Sequence, residues 1–204
     1  MIIIIYMSYN LRVTTDRINN IILNNNYVKN CISSKIKNEN SLSYLINKPL
    51  SQSECIKLGI CVEKVIEDII SEYTNYVNIN KHSNSNKQRD HIFLDNINKR
   101  IYYAELKGNL YLDTEKTKST CIKCTDIVNE IYLEYPGYTV HWCLLGYRYI
   151  NNSEIPNRIK NKYLMIENNL YGINDYFKML NIKYEFNMEN YKIFLNNIVN
   201  SMIS

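Results

Sequence analysis

Glycine, proline, histidine and long apolar runs are all scarce in this chain. Its 204 residues include 5 Gly, 3 Pro, 3 His and 1 Trp. No run approaches the ~18 apolar residues of a membrane-spanning helix, so no membrane partner is expected. There is no Gly-rich phosphate loop and no Gly-x-Ser-x-Gly elbow, which argues against NTPase and elbow-type hydrolase chemistry. Three scattered histidines are too few for a His-based metal site.

The composition is that of a folded protein with a modest positive charge. Hydrophobic residues make up 46% of the chain and charged residues 22%, which is enough apolar material for one core. The net charge of +4 permits a nucleic-acid partner without requiring one. The abundance of Ile, Asn, Lys and Tyr is explained by A/T-rich codons, and Asn can supply the turns that Gly and Pro do not.

The six cysteines indicate a reducing compartment. The apolar start, residues 1–7, has neither a basic leader nor a small-residue cleavage site, so a cytoplasmic protein with reduced thiols is expected. Cys121 and Cys124 form a lone Cys-x-x-Cys pair. A structural zinc site usually needs a second pair of Cys or His at similar spacing, so the pair does not predict one.

The order of elements predicts an α/β (α+β) domain with a mixed central sheet flanked by helices. Ser51 and Glu54 form a capping box before a helix that runs to Tyr76. Residues 10–50 and 151–204 are read as short helices and loops, the latter with one strand and a closing helix over 189–203. We expect a single domain, divided into 1–50, a core of 51–150 and an extension over 151–204. The further predicted elements are strands 89–94 and 100–108, a polar stretch 113–120, a helix 121–135 and a strand 138–150.

The two predicted strands 89–94 and 100–108 bring acidic residues together. If residues 95–99 form the turn of a hairpin, with Asp95 facing Arg100, then Asp90 falls opposite Glu105. Opposed side chains lie on one face with Cβ atoms about 5 Å apart. Lys107 shares that face because strand side chains alternate, and His91 points to the other.

Two opposed carboxylates need a compensating cation. Mg²⁺ prefers oxygen ligands, and Asp90, Glu105 and a backbone carbonyl would leave positions for waters and a phosphate oxygen. The ammonium of Lys107 would orient or deprotonate a water and offset developing negative charge. Glu105-Leu-Lys107 is the only [Asp/Glu]-x-Lys triplet in the sequence. The pattern therefore predicts metal-assisted hydrolysis of a phosphodiester, against the alternative of a solvated, salt-bridged hairpin.

Asp90, Glu105 and Lys107 resemble the motif of the PD-(D/E)xK nuclease superfamily, which includes most type II restriction endonucleases. The resemblance covers roughly 51–150, although Arg89 stands where a proline often precedes the Asp. It implies a restriction-endonuclease-like fold, with Mg²⁺ bound by Asp90, Glu105 and the Leu106 carbonyl and Lys107 assisting the water. It also implies a further catalytic Glu on the preceding helix, for which Glu63 is the best match and Glu67 the substitute.

The segment after Lys107 resembles the stretch that follows the catalytic lysine in some restriction endonucleases. Lysines beside a cleaved phosphate would attract the DNA backbone regardless of sequence. The candidates for nucleic-acid binding are Asn109, Asp113, Thr114, Lys116 and Lys118, with a solvated loop as the alternative.

The resemblance implies a Mg²⁺-dependent endonuclease that acts on double-stranded DNA. We expect a sequence-specific type II restriction endonuclease, and a homodimer, because cutting both strands of a palindrome needs two sites. A repair, recombination or junction-resolving nuclease with the same chemistry is the first alternative. A non-catalytic nucleic-acid-binding protein is the second, although an intact Asp/Glu/Lys set argues against it.

Overall fold

Helices cover both faces of a mixed five-stranded sheet in the computed structural model of the chain. The model describes residues 14–29, 50–79 and 89–203. The predicted α/β (α+β) class is confirmed, and Glu105 and Lys107 of the catalytic hypothesis lie near the carboxyl end of the central strand of the sheet.

The sheet has the order β1-β2-β3-β4-β5. β1 pairs with β2 and β2 with β3 in antiparallel fashion, whereas β3–β4 and β4–β5 are parallel. A parallel pair needs a crossover, which α4 supplies between β3 and β4. The strands are β1 (Val77–Asn78), β2 (His91–Asp95), β3 (Arg100–Lys107), β4 (Thr139–Gly146) and β5 (Leu170–Tyr171).

Seven α-helices lie in the described part of the chain. Two 3-10 turns, over 152–154 and 164–169, lie among the elements that follow β4. The helices are α1 (Thr15–Asn24), α2 (Asn26–Lys29), α3 (Gln52–Tyr73), α4 (Thr114–Glu134), α5 (Asn157–Lys160), α6 (Ile173–Met179) and α7 (Met188–Ile203). The capping box that begins α3 is present, since Ser51 accepts from the Glu54 N–H and Glu54 accepts from the Ser51 N–H.

The β2–β3 hairpin has the predicted register because its turn is held by Asp95. One carboxylate oxygen of Asp95 accepts the backbone N–H groups of Ile97 and Asn98 at 3.1 and 3.0 Å. Lys99 closes the turn with φ 52°, a conformation that is uncommon outside glycine and asparagine. Asp95 consequently pairs with Arg100, and the register runs outward to His91 opposite Ala104.

The two faces of the sheet bury different apolar clusters. Tyr102, Ala104 and Leu106 of β3 pack on one face with α1, α3, α6 and α7, which we call the α3 face. Ile101 and Tyr103 alternate with them and pack on the other face against α4, which we call the α4 face. The segment 155–170 extends the α4 face beside the start of α4. The core is therefore a helix–sheet–helix stack, and odd-numbered residues of β3 face α4.

Two predicted boundaries are wrong. The stretch 113–120 is not a loop: Asp113 caps α4, which begins at Thr114 rather than near Cys121. Its first two turns look polar because, within Thr114–Ser119, only Thr117 is buried. β4 ends at Gly146 instead of Ile150, because the chain turns there through the bond from the Tyr149 N–H to the Gly146 carbonyl.

The remaining predictions fall into three groups. The closing helix over 189–203 is confirmed by α7, and the mixture of short helices with one strand by α5, α6 and β5. Most of the region 10–50 and all of 1–7 lie outside the described residues. Across the described ranges, neither α3 nor α4 nor any shorter helix combines the length and the apolarity that a bilayer crossing requires.

Candidate active site

Asp90 and Glu105 meet at the open end of the β2–β3 hairpin. Asp90 directly precedes β2, and one position inward from it His91 pairs with Ala104, so Asp90 comes opposite Glu105. A carboxylate oxygen of Asp90 accepts the backbone N–H of Leu106 at 2.7 Å. This bond anchors Asp90 against β3, and the predicted juxtaposition of the two acids is confirmed.

Glu105 is fully buried and carries three polar partners. Lys107 Nζ donates to Oε1 of Glu105 at 2.7 Å. Lys123 Nζ reaches both oxygens of Glu105, at 2.8 and 2.7 Å, and the Tyr103 hydroxyl donates to Oε2 at 3.3 Å. A buried carboxylate is tolerated only when it is paired and hydrogen-bonded, and these partners meet that requirement.

Lys107 faces the same side of β3 as Glu105, as the alternation predicted, and keeps 33% of its side chain exposed. Burial works against its ammonium, but the charge and hydrogen bond of Glu105, helped by the charge of Asp90, outweigh that cost and raise the pKa of Lys107. Beside these carboxylates Lys107 is a cation. Such a group is suited to stabilising negative charge and orienting water rather than to accepting a proton.

The pKa of Asp90 is raised above the usual range of aspartate. Burial is the main cause and the charge of Glu105 the second, while the Leu106 N–H and the two lysines Lys123 and Lys107 act in the opposite direction. Burial and the charge of Asp90 likewise raise the pKa of Glu63 to about 7. The carboxylates of Glu63 and Asp90 thus lie close enough to repel each other.

His91 links α3 to the hairpin behind the carboxylates. It faces away from Asp90 as predicted and is completely buried. Nε2 of its ring lies 3.1 Å from the backbone carbonyl of Glu63, and Nδ1 lies 3.1 Å from the Tyr176 hydroxyl. Burial lowers the pKa of His91 to about 3, so the ring is neutral and structural. Its contact with the Glu63 backbone holds that turn of α3 beside Asp90.

Arg89, which stands where the resemblance leads one to expect proline, is an anchor. Its two terminal nitrogens grip Glu134 of α4 at 2.9 and 2.6 Å, and one of them reaches Glu130 at 3.3 Å. Only 1% of the Arg89 side chain is exposed. A bidentate pair of this kind restricts both the distance and the relative orientation of its two side chains. Arg89 therefore fixes the backbone next to Asp90 against α4.

The acidic residues suit Mg²⁺ in kind and in number. No group of three or more His, Cys, Asp or Glu side chains within the described ranges is arranged to hold a metal unaided. Asp90, Glu105 and the Leu106 carbonyl are an oxygen-only set, and Mg²⁺ commonly uses one or two protein carboxylates and keeps several waters. Burial is the first cause of the raised pKa values of Asp90 and Glu63 and a neighbouring carboxylate is the second, and a divalent cation would offset both because it stabilises the ionised forms.

The predicted nucleic-acid-binding residues are spread over a turn and the first turns of α4. Asn109 accepts the Tyr111 N–H at 2.8 Å, and Asp113 caps α4 by accepting the Lys116 N–H at 2.8 Å. Lys116 also pairs with Asp113 at 3.1 Å. Thr114 and Lys118 are solvent-exposed. Asn109 and Asp113 thus order the local backbone, and contacts of the set with nucleic acid stay a prediction.

Lys123 is the site residue that sequence reasoning missed. It lies between the two cysteines of the Cys121–Cys124 pair. Both thiols are buried on α4, and the five described cysteines form no disulfide. The sequence could have indicated Lys123 because it lies beside Thr120, Cys124 and Ile127 on one face of α4. A helix face that is buried seldom tolerates an unpaired charge.

Tyr147 closes the site from the end of β4. Its hydroxyl lies against Gly59 of α3 and Gly108 after β3, where an added Cβ would stand 3.1 and 2.4 Å from it. Burial is the first cause that raises the pKa of Tyr147, and the charges of Asp90 and Glu63 contribute. A side chain at position 108 would therefore clash with Tyr147. The Tyr147 side chain lies near the carboxylates of Asp90 and Glu63.

Comparison with known proteins adds no relative, since no family model, no curated protein and no solved structure matches this chain significantly.

Proposed function

We propose that this chain is a Mg²⁺-dependent endonuclease that hydrolyses DNA phosphodiester bonds with Asp90, Glu105 and Lys107, as the resemblance to the PD-(D/E)xK superfamily implies. The observation that carries the proposal is the cross-strand meeting of Asp90 and Glu105, with Lys107 2.7 Å from Glu105 on the same face. A buried glutamate beside a partly buried aspartate costs folding energy, and such arrangements concentrate at functional sites.

Mg²⁺ would be held by Asp90, Glu105 and the Leu106 carbonyl, and the carboxylate of Glu63 lies close enough to Asp90 to interact with it. When bound, the ion supplies Lewis acidity and lowers the pKa of bound water. Hydrolysis forms one P–O bond from the water and breaks the P–O bond to the leaving nucleotide oxygen, which takes up a proton.

The chain's own residues contribute charge and order. Lys107 offsets the negative charge that builds on the phosphate oxygens and orients the attacking water. Lys123 and the Tyr103 hydroxyl hold Glu105 from behind, so that its carboxylate does not rotate when the substrate arrives. Glu63, whose pKa is about 7, can exchange a proton near neutral pH and is the candidate for general acid–base work.

Cleavage of DNA by the wild type and by Lys107→Ala tests the proposal. The purified chain is incubated with supercoiled plasmid, long linear duplex and branched duplex in Mg²⁺, Mn²⁺ or EDTA. We expect cleavage with metal only. Lys107→Ala should reduce the rate by at least a hundredfold, because a preorganised cation at a developing charge contributes about that much. Its binding of duplex should be close to that of the wild type.

The control is Lys183→Ala, which removes an exposed lysine beyond α6 and should cleave as the wild type does. Circular dichroism checks that Lys107→Ala is folded, since Lys123 still neutralises Glu105. Discrete fragments favour a type II restriction endonuclease, and cleavage of branched duplex alone favours a junction-resolving or repair enzyme. Absence of cleavage in both metals, or full activity of Lys107→Ala, overturns the proposal.

A further inference from the structure

Two cationic side chains contact the ring of Tyr111, on a surface to which the catalytic hypothesis assigns no role. Arg158 of α5 places its guanidinium carbon 5.4 Å from the centre of the Tyr111 ring, and Lys162 places Nζ 4.6 Å from it. Lys162 also donates to the Leu112 carbonyl at 2.7 Å. The Tyr163 hydroxyl donates to the Leu110 carbonyl at 3.0 Å, so the segment 155–166 is fastened to the chain that leaves β3.

This cluster, Tyr111 with Arg158 and Lys162, is exposed and positively charged. The Tyr111 side chain is 55% exposed, and both cations face solvent. Neither Arg158 nor Lys162 forms an ion pair with a carboxylate among residues 14–29, 50–79 and 89–203. Both cationic groups contact the same ring, so two positive charges face solvent beside one aromatic side chain. An anionic partner would complement these two charges.

The cluster stands close to the candidate active site along the chain. Tyr111 follows Lys107 by four residues, so their Cα atoms lie within about 14 Å, the reach of an extended chain of that length. One strand of duplex DNA carries a phosphate about every 3.4 Å along its axis. If a phosphodiester is bound at Lys107, the phosphates level with Tyr111 along the duplex axis are therefore at most about four nucleotides away on the same strand.

We propose that Tyr111, Arg158 and Lys162 form a clamp for the phosphate backbone of the DNA strand that leaves the candidate active site. The inference rests on the proposed function for the nature of the partner. Arg158 and Lys162 each bind a phosphate, and the Tyr111 ring aligns them and offers its hydroxyl as a further donor. The contact is to the backbone, so it adds affinity without sequence preference.

Salt-dependent binding measures the number of phosphate contacts directly. The full chain in EDTA is titrated against two fluorescein-labelled 30-base-pair duplexes of unrelated sequence across a range of NaCl concentrations. Each lost phosphate contact lowers the slope of log affinity against log salt by about 0.9. Arg158→Gln/Lys162→Gln should lower it by about 2 for both duplexes alike and weaken binding about tenfold. Tyr111→Leu should weaken binding about threefold without changing the slope.

The matched control is Lys183→Gln/Lys192→Gln, which removes the same charge from exposed positions on the α3 face. Its slope should equal that of the wild type, and thermal unfolding checks that both double variants are folded. An unchanged slope in the Arg158/Lys162 variant, equal losses in both pairs, or no duplex binding by the wild type overturns the clamp. Binding of poly-glutamate at the cluster by a protein that does not bind duplex would also overturn the clamp.

Cleavage in Mg²⁺, assayed in parallel, separates the two proposals. A chain that cleaves DNA while the Arg158/Lys162 variant keeps the wild-type slope retains the nuclease and loses the clamp. A chain that binds duplex through the clamp but never cleaves it retains the clamp and loses the nuclease.

Discussion

At the scale of single residues, the candidate site holds carboxylates whose ionisation opposes folding. Asp90 and Glu105 lie near the ammonium groups of Lys107 and Lys123, Glu63 lies near that of Lys64, and burial raises the pKa of both Glu63 and Asp90. Active sites often keep such strain because the same crowding is useful once substrate and metal are bound. The cost should be measurable as stability that the protein gains when a carboxylate is removed.

Glu63→Gln should stabilise the fold at high pH and leave it unchanged at low pH. The pKa of Glu63 is about 7 in the folded state against an ordinary value of 4.5, so ionisation opposes folding. The gain should be absent below pH 4.5, grow up to pH 7 and reach about 2 kcal/mol at pH 8. Urea unfolding without divalent metal at pH 4, 6 and 8 measures it.

Glu185→Gln, at an exposed position beyond α6, serves as the comparison and should leave the free energy of unfolding unchanged at every pH. A Glu63→Gln protein that is equally stable or less stable at pH 8 would show that the crowding of Glu63 with Asp90 is not a real cost.

At the scale of elements, the hairpin and α4 position the acids by different means. The Asp95-capped turn sets the register that brings Asp90 opposite Glu105, and this is local. The approach of α4 is a tertiary contact, held at its C-terminal end by Arg89 with Glu134 and near its middle by Lys123 with Glu105. Both ion pairs join α4 to the two strands that carry the acids.

Arg89→Met should destabilise the protein by about 3 kcal/mol. The side chain is almost fully buried, and removal of one partner from a buried ion pair costs roughly 3–5 kcal/mol. Glu130 and Glu134 are each one-third exposed and regain water, so the loss falls at the low end. Chemical denaturation at neutral pH measures the loss, and DNA cleavage should fall because the backbone beside Asp90 loosens.

Arg100→Met is the control, because Arg100 is solvent-exposed at the start of β3 and its loss should leave the free energy of unfolding nearly unchanged. Equal stability of the Arg89 and Arg100 variants would mean that the grip of Arg89 on α4 contributes nothing.

At the scale of the whole molecule, one chain carries one candidate site. Glu105 contacts Lys123 of α4 and Lys107, and Asp90 is bonded to the Leu106 N–H beside them, so the chain presents one set of these residues, and a single site hydrolyses one strand at a time. Two copies related by a twofold axis would present two sites to a duplex, which is itself nearly twofold symmetric in its backbone. The homodimer therefore stays a prediction that follows from the proposed reaction rather than from a surface.

Sedimentation velocity with and without duplex tests the dimer. We expect a species of twice the 24.2 kDa chain mass when DNA is bound. Supercoiled plasmid should then convert to linear product with little nicked intermediate, because two sites act within one complex. A monomer on DNA, together with full accumulation of nicked circles before any linear product, would contradict the prediction.

Sequence alone determined the parts of this protein that depend on local rules. Strand alternation and the turn at Asp95 place Asp90, Glu105 and Lys107 on one face, and the Ser51–Glu54 box begins α3. Each is specified within a few residues along the chain or across one hairpin. The predicted start of α4 failed because its first turns are solvent-facing and polar, a pattern that a loop shares.

Tertiary structure alone decided which distant side chains reach the acids. Lys123 contacts Glu105, Arg89 contacts Glu134, and Arg158 contacts Tyr111 only because helices dock on the α4 face of the sheet. His91 likewise brings Glu63 beside Asp90 from the other face. Docking is set by the packing of apolar clusters from many segments, and no short window of sequence contains that information.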